Sequence, residues 1–132
     1  MNREIKFRAL YDDMGGGWKY GMLIYEGDVP RIQHMGTMTF ATCLKGTEGQ
    51  FTGLKDKNET EIYEGDWVIL NHWKSTDIFD YSNPFLVTYY EGEINFKQGE
   101  YNNFKGSLQG KLSIEVIGNQ YEHPELTKIQ TT

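Results

Sequence analysis

The run Phe51-Thr-Gly-Leu-Lys-Asp-Lys-Asn-Glu-Thr-Glu-Ile-Tyr-Glu-Gly-Asp-Trp-Val-Ile-Leu70 constrains the fold more than any other stretch of the chain. Asp56-Lys57-Asn58 is turn chemistry, because Asp and Asn side chains bond nearby backbone groups and Asn tolerates positive φ. Glu61-Ile62-Tyr63 then predicts a short strand. Gly65-Asp66 predicts a tight turn, in which glycine takes a φ that a side chain would forbid. Trp67-Val68-Ile69-Leu70 is apolar at every position, the pattern of a strand covered on both faces.

Thr52-Gly-Leu-Lys-Asp-Lys-Asn58 followed by Glu61-Ile-Tyr-Glu-Gly-Asp66 resembles the signature of the YopX family of phage and prophage proteins. Two other runs carry the same resemblance. Arg3-Glu-Ile-Lys-Phe-Arg8 is similar to that family's opening, and Ile117-Gly-Asn-Gln-Tyr-Glu-His-Pro-Glu-Leu126 to its close, with His123 standing where relatives carry Asn. The resemblance implies no biochemical activity, since none is established for the family. A short strand, a Gly-Asp turn and a buried strand also open the core meander of small SH3-like barrels, an analogy of fold alone. The expected fold class is therefore mainly β, a small SH3-like barrel core with extended hairpins. At most one short helical turn is expected, at Pro124-Glu125, since proline suits the first helical position.

Turn scaffolding is not the sole chemistry the signature permits. Asp56-x-Asn58-x-Thr60 begins like a calcium loop, but an EF-hand requires glycine at loop position six and a carboxylate at twelve. Glu61 and Trp67 hold those places. Asn58-Glu59-Thr60 fits a glycosylation sequon, which matters in a secreted protein alone. The start of the chain alternates charged and apolar residues, unlike a signal peptide, and no apolar run approaches the ~18–20 residues that span a bilayer. With Cys43 as the single cysteine, no internal disulfide or cysteine-paired zinc site is available, and the expected compartment is the cytoplasm of a bacterial host.

At 132 residues the chain suits one domain over 1–132, long enough to bury a real core. Residues 4–10 alternate Ile5, Phe7 and Ala9 against Glu4, Lys6 and Arg8, predicting a half-buried strand. Tyr20 to Tyr25 and Val29 to Met35 predict a hairpin about Glu26-Gly27-Asp28. Met38 to Leu44 predicts another strand, and Lys45 to Gly49 a loop. Phe85 to Lys97 predicts one long strand with a bend at Gly92, with Leu86, Thr88, Ile94 and Phe96 on one face. Gln98-Gly99 turns the chain into Tyr101 to Phe104. Lys111 to Ile117 predicts the last strand, with Leu112, Ile114 and Val116 inward, and 127–132 is expected to fray.

No catalytic constellation emerges. His34, His72 and His123 lie far apart without a metal-ligand spacing, and an isolated histidine is more often structural. Cys43 reads as a small buried apolar side chain. Met14-Gly-Gly-Gly-Trp18 lacks the Gly-Lys-Ser/Thr ending of a phosphate loop, and the serines lie outside any nucleophile elbow. Neither enzyme activity, cofactor nor metal is expected. Asn71 to Pro84 mixes aromatic and polar residues without either period, and long unstructured loops are often functional. Trp73, Phe79 and Tyr81 within it are the candidate partner-binding residues, set against the blander reading of a lid folded over the core.

The net charge of −6 opposes broad binding to duplex DNA. The expected role is that of an accessory protein acting by binding, to a protein partner and with a homo-oligomer as one form of it. The alternative is a single-stranded nucleic-acid-binding barrel, with Tyr89, Tyr90, Tyr101 and Phe104 as a stacking platform and Lys97, Lys105 and Lys111 as its sparse cationic support.

Overall fold

Alternating side chains and well-placed turns produce strands throughout the computed structural model, which describes residues 5–11, 17–34, 36–71, 82–90, 93–99, 101–105 and 113–123, with 71, 90 and 101–105 as backbone alone. Eleven strands are formed and no helix occurs among the described residues. They fall into two compact units, 1–53 and 54–132.

In the first unit, β1 (Phe7–Leu10), β2 (Trp18–Glu26), β3 (Val29–His34), β4 (Phe40–Thr42) and the start of β5 (Gly49–Lys55) make an antiparallel sheet in the order β4-β3-β2-β1-β5. The hairpin about Gly27-Asp28 forms as expected, with Glu26 opposite Val29 and Gly21 opposite His34. Its register places Phe7, Ala9, Leu23, Ile32, Ala41 and Cys43 on one face, where they form a small apolar core. The predicted Met38–Leu44 strand contracts to the three residues of β4. β5 was not anticipated at all: Gly49 and Gly53 interrupt any apolar alternation there, and Gly53 has a φ of 85°.

The second unit continues from the end of β5 into β6 (Glu61–Tyr63), then into a five-stranded antiparallel sheet ordered β10-β9-β8-β7-β11. Its strands are β7 (Asp66–Asn71), β8 (Phe85–Tyr90), β9 (Glu93–Gln98), β10 (Tyr101–Lys105) and β11 (Ser113–Asn119). Trp67 and its neighbour Val68 point to opposite faces and both are buried, as an all-apolar strand predicts. Ile62, Val68, Leu70, Phe85, Val87, Phe96 and Ile114 make the larger core, and Val116 packs against it. Neither sheet closes into the expected SH3-like barrel among the described residues. β6 and β7 run in different sheets, and at the turn between them the Asp66 carboxylate accepts the Tyr63 N–H at 2.8 Å.

The long strand expected over Phe85–Lys97 is corrected to a hairpin. β8 pairs antiparallel with β9 from Leu86 opposite Lys97 to Tyr90 opposite Glu93, so the two run as partners rather than as one continuous strand. Pairing also changes the inward set. Val87 and Phe96 would lie on opposite faces of a continuous strand, but the antiparallel pairing sets them opposite each other and both are buried. The turn at Gln98-Gly99 into β10 forms as expected. The 72–81 part of the predicted loop, the Pro124-Glu125 helical turn and the 127–132 tail lie outside the described residues.

Candidate functional site

The motif residues that dominate the sequence turn out to be structural. Asp56 Oδ1 accepts the backbone N–H groups of Asn58 (2.8 Å) and Thr60 (2.9 Å), and Oδ2 accepts that of Val116 (2.9 Å). Burial pushes its pKa up, but the Val116, Thr60 and Asn58 donors and the Thr60 hydroxyl outweigh burial and hold it below the usual carboxylate range. Both oxygens are thus engaged by the protein's own backbone, which accounts for the Asp56-x-Asn58-x-Thr60 spacing without calcium.

The closing motif is bound to the Gly65-Asp66 turn of the signature in the same way. Gly65, at a φ of 96°, donates its N–H to Val87 O and accepts from Gln120 N, each at 2.9 Å. A Cβ at Gly65 would stand 3.0 Å from the Tyr121 ring. Asn119 lies opposite Asp66 in the β7–β11 ladder. Its side-chain oxygen accepts from Tyr121 N and Glu122 N, and its own N–H is accepted by His123 Nδ1 at 3.2 Å. An Asn at position 123 offers a comparable acceptor, so the departure from the family pattern preserves the contact.

Cys43 is buried in the small core of the first unit, where its thiol contacts Ala41 O. His34 is exposed at the end of β3. His72, Trp73, Phe79 and Tyr81 lie outside the described residues, as do Lys111 and the side chains of Tyr90, Tyr101, Phe104 and Lys105. No group of three or more His, Cys, Asp or Glu side chains that could hold a metal occurs among the described residues. No helix there is long and apolar enough to cross a membrane.

What the sequence reading missed is an open apolar face on the first unit. Tyr20, Met22 and Ile24 recur at every second residue of β2, and Val29 stands on the same side of β3; their exposures are 42%, 42%, 40% and 39%. Gln33 is opposite Met22 and Arg31 is opposite Ile24. Arg31 in turn pairs with Glu26 at 3.0 Å and lies 5.5 Å from the Phe40 ring centroid. The result is an apolar stripe beside one neutralised ion pair. The opposite face of the same strands carries Leu23 and Ile32 into the core. Charge is also unevenly divided: residues 1–53 hold six basic and six acidic side chains, so the whole excess of −6 belongs to 54–132.

No curated protein is similar enough to the chain to count as a relative. The crystal structure of protein EF1440 from Enterococcus faecalis is similar in fold, with a TM-score of 0.57 and 23% identity over 96% of this chain and 99% of that one. The family model described as YopX protein matches residues 37–128, which include the Asp56 turn, the Gly65-Asp66 turn and the Asn119–His123 closure. The chain belongs to the YopX family.

Proposed function

We propose that the protein is a phage or prophage accessory factor that works in the host cytoplasm by binding another protein, without catalysis of its own. The observation that carries this reading is the stripe of Tyr20, Met22, Ile24 and Val29. Large apolar side chains exposed together on one face of a sheet mark interaction surfaces more often than chance, and Tyr and Met are enriched in the centres of such contacts. With the Arg31–Glu26 pair beside it, the stripe suits an apolar protein surface and has no excess of cations to offer a polyanion.

Affinity capture from host extract with the wild type and with a Met22→Lys/Ile24→Lys double variant tests the proposal, followed by reconstitution with the purified captured protein. Partners retained by the wild type and lost by the variant support it. Identical captured sets for the two proteins would overturn it. Light scattering after size-exclusion chromatography shows whether the partner is a second copy of the chain.

A second reading, single-stranded nucleic acid, rests on cation–aromatic contacts among the described residues of the first unit: Lys6 on Phe51, Arg8 on Trp18, Lys19 on Tyr11 and Arg31 on Phe40. Cations and aromatics are the elements of a strand-binding platform. Here each cation already occupies a ring face that a base would need, which ranks this reading second. Anisotropy of a labelled single-stranded oligonucleotide at low salt should show no protein-dependent rise.

A further inference from the structure

The geometry points to a small-molecule site in the first unit, on the face opposite the apolar stripe, that takes a small monocarboxylate with an apolar body. A pocket of about 310 Å³ opens there beside the small core, floored by Ile32 and Ala41 and lined by Tyr11, Lys19, His34 and Thr39. That volume is at the lower end for ligand sites, which are characteristically apolar with a few converging polar groups.

The polar groups specify the ligand's chemistry. Lys19 Nζ lies 4.8 Å from the centroid of the Tyr11 ring and has no carboxylate partner among the described residues. Among the described residues, the Tyr11 hydroxyl, the His34 imidazole and the Thr39 hydroxyl have no hydrogen-bond partner. Asp and Glu are absent from the described lining. One ammonium and several hydrogen-bonding side chains, set around an apolar floor without a carboxylate among the described lining residues, match a single negative charge on an apolar molecule.

The backbone distinguishes a carboxylate from a phosphate ester. Phosphate sites in proteins commonly use a nest of free backbone N–H groups or an arginine fork. At this rim three amides are already engaged: His34 N donates to Thr39 O, Thr37 N to His34 O, and Thr39 N to Thr37 Oγ1, at 3.0–3.1 Å. A lone lysine with side-chain hydroxyls is sufficient for one carboxylate and sparse for a dianion.

The test is an amide-resolved NMR titration of the full chain with benzoate, 4-methylpentanoate and indole-3-acetate, alongside benzamide and phenyl phosphate. At least one carboxylate should give saturable shifts centred on Tyr11, Lys19, His34 and Thr39. Benzamide should bind about tenfold more weakly than benzoate, the scale of one charge-assisted hydrogen bond. Lys19→Gln should weaken the carboxylate by about the same factor, and Lys19→Arg should retain it. If Lys19→Gln fails to fold, Tyr11→Phe takes its place, since it removes the hydroxyl and keeps the ring under the ammonium. The proposal is overturned if none of the three carboxylates gives saturable shifts, if benzamide or phenyl phosphate binds as tightly, or if the Lys19 and Tyr11 variants bind like the wild type. Because the stripe lies on the other face, the capture experiment with Met22 and Ile24 can fail or succeed independently.

Discussion

The Asp56 carboxylate accepts the backbone N–H of Val116 at 2.9 Å from a position 60 residues earlier in the chain. Lys57 N donates in the same direction, to Ile114 O at 2.9 Å, and Lys57 Nζ reaches Glu115 at 3.5 Å. β11 pairs with β7 along one side and ends the sheet, so its other side would present unpaired backbone groups to any passing strand. The Asp56-Lys57-Asn58 turn covers that edge with one side chain and one amide. The motif that identifies the family is in this respect an edge cap.

The cap predicts a specific acid sensitivity. The folded-state pKa of Asp56 is lowered, so its ionised carboxylate stabilises the fold fully above the unfolded-state value near 3.8 and progressively less as pH falls through the folded-state value. Asp56→Asn should cost about 1.5–3 kcal/mol at pH 7, the usual worth of hydrogen bonds to a charged group. The gap between wild type and variant in urea midpoint should narrow as pH drops from 5 to 3. A gap independent of pH would show that the charge contributes nothing.

Gly118 and His123 predict a coupled pair. A Cβ at Gly118 would lie 2.7 Å from His123 Nδ1, the atom that accepts the Asn119 N–H. Gly118→Ala must therefore displace the imidazole and should cost about 1–3 kcal/mol, largely through the lost acceptor. His123→Asn should be nearly neutral. In a double-mutant cycle, Gly118→Ala should cost less in a His123→Ala background, and simple additivity would refute the coupling.

These contacts also show how far the sequence could be read. Asp56, Asn58, Gly65 and Asp66 were legible because their preferences are local: a side chain bonding its neighbours, or a φ open to glycine. The hairpin about Gly27-Asp28 was legible for the same reason. The hairpin of β8 and β9 was not. Val87 and Phe96 have opposite parity, and alternation in each arm reads as one strand until the antiparallel pairing of β8 with β9 is known. The partnership of Asp56 with Val116 leaves no local trace either. As for the apolar stripe, Trp-Lys-Tyr-Gly-Met-Leu-Ile-Tyr is apolar on both faces of β2, and only the sheet shows which face the core leaves open.

Gly21 predicts the sharpest intolerance in the first unit. It is the member of β2 opposite both Phe7 and His34, and a Cβ there would come within 2.0 Å of the Gln33 carbonyl oxygen. The obstacle is backbone, so no rotamer change relieves it; β2 and β3 must separate. Gly21→Ala should lose at least about 2 kcal/mol, read as a lowered urea midpoint. A wild-type midpoint would mean that the two strands are less closely apposed.

The two faces of β2 and β3 predict opposite responses to mutation. Met22 and Ile24 are about two-fifths exposed, whereas Ile32 is 1% exposed and on the other side. Lysine at both exposed positions should move stability by no more than about 0.5 kcal/mol per site, as is usual away from buried contacts. Ile32→Ala removes buried methylenes and leaves a cavity beside Ala9 and Cys43, which should cost about 2–4 kcal/mol. Thermal unfolding followed by circular dichroism separates these outcomes. If the double lysine variant melts as low as Ile32→Ala, the stripe is already covered by the protein itself and is no partner surface. If it keeps the wild-type melting temperature and loses its captured partner, the loss belongs to the interface rather than to folding.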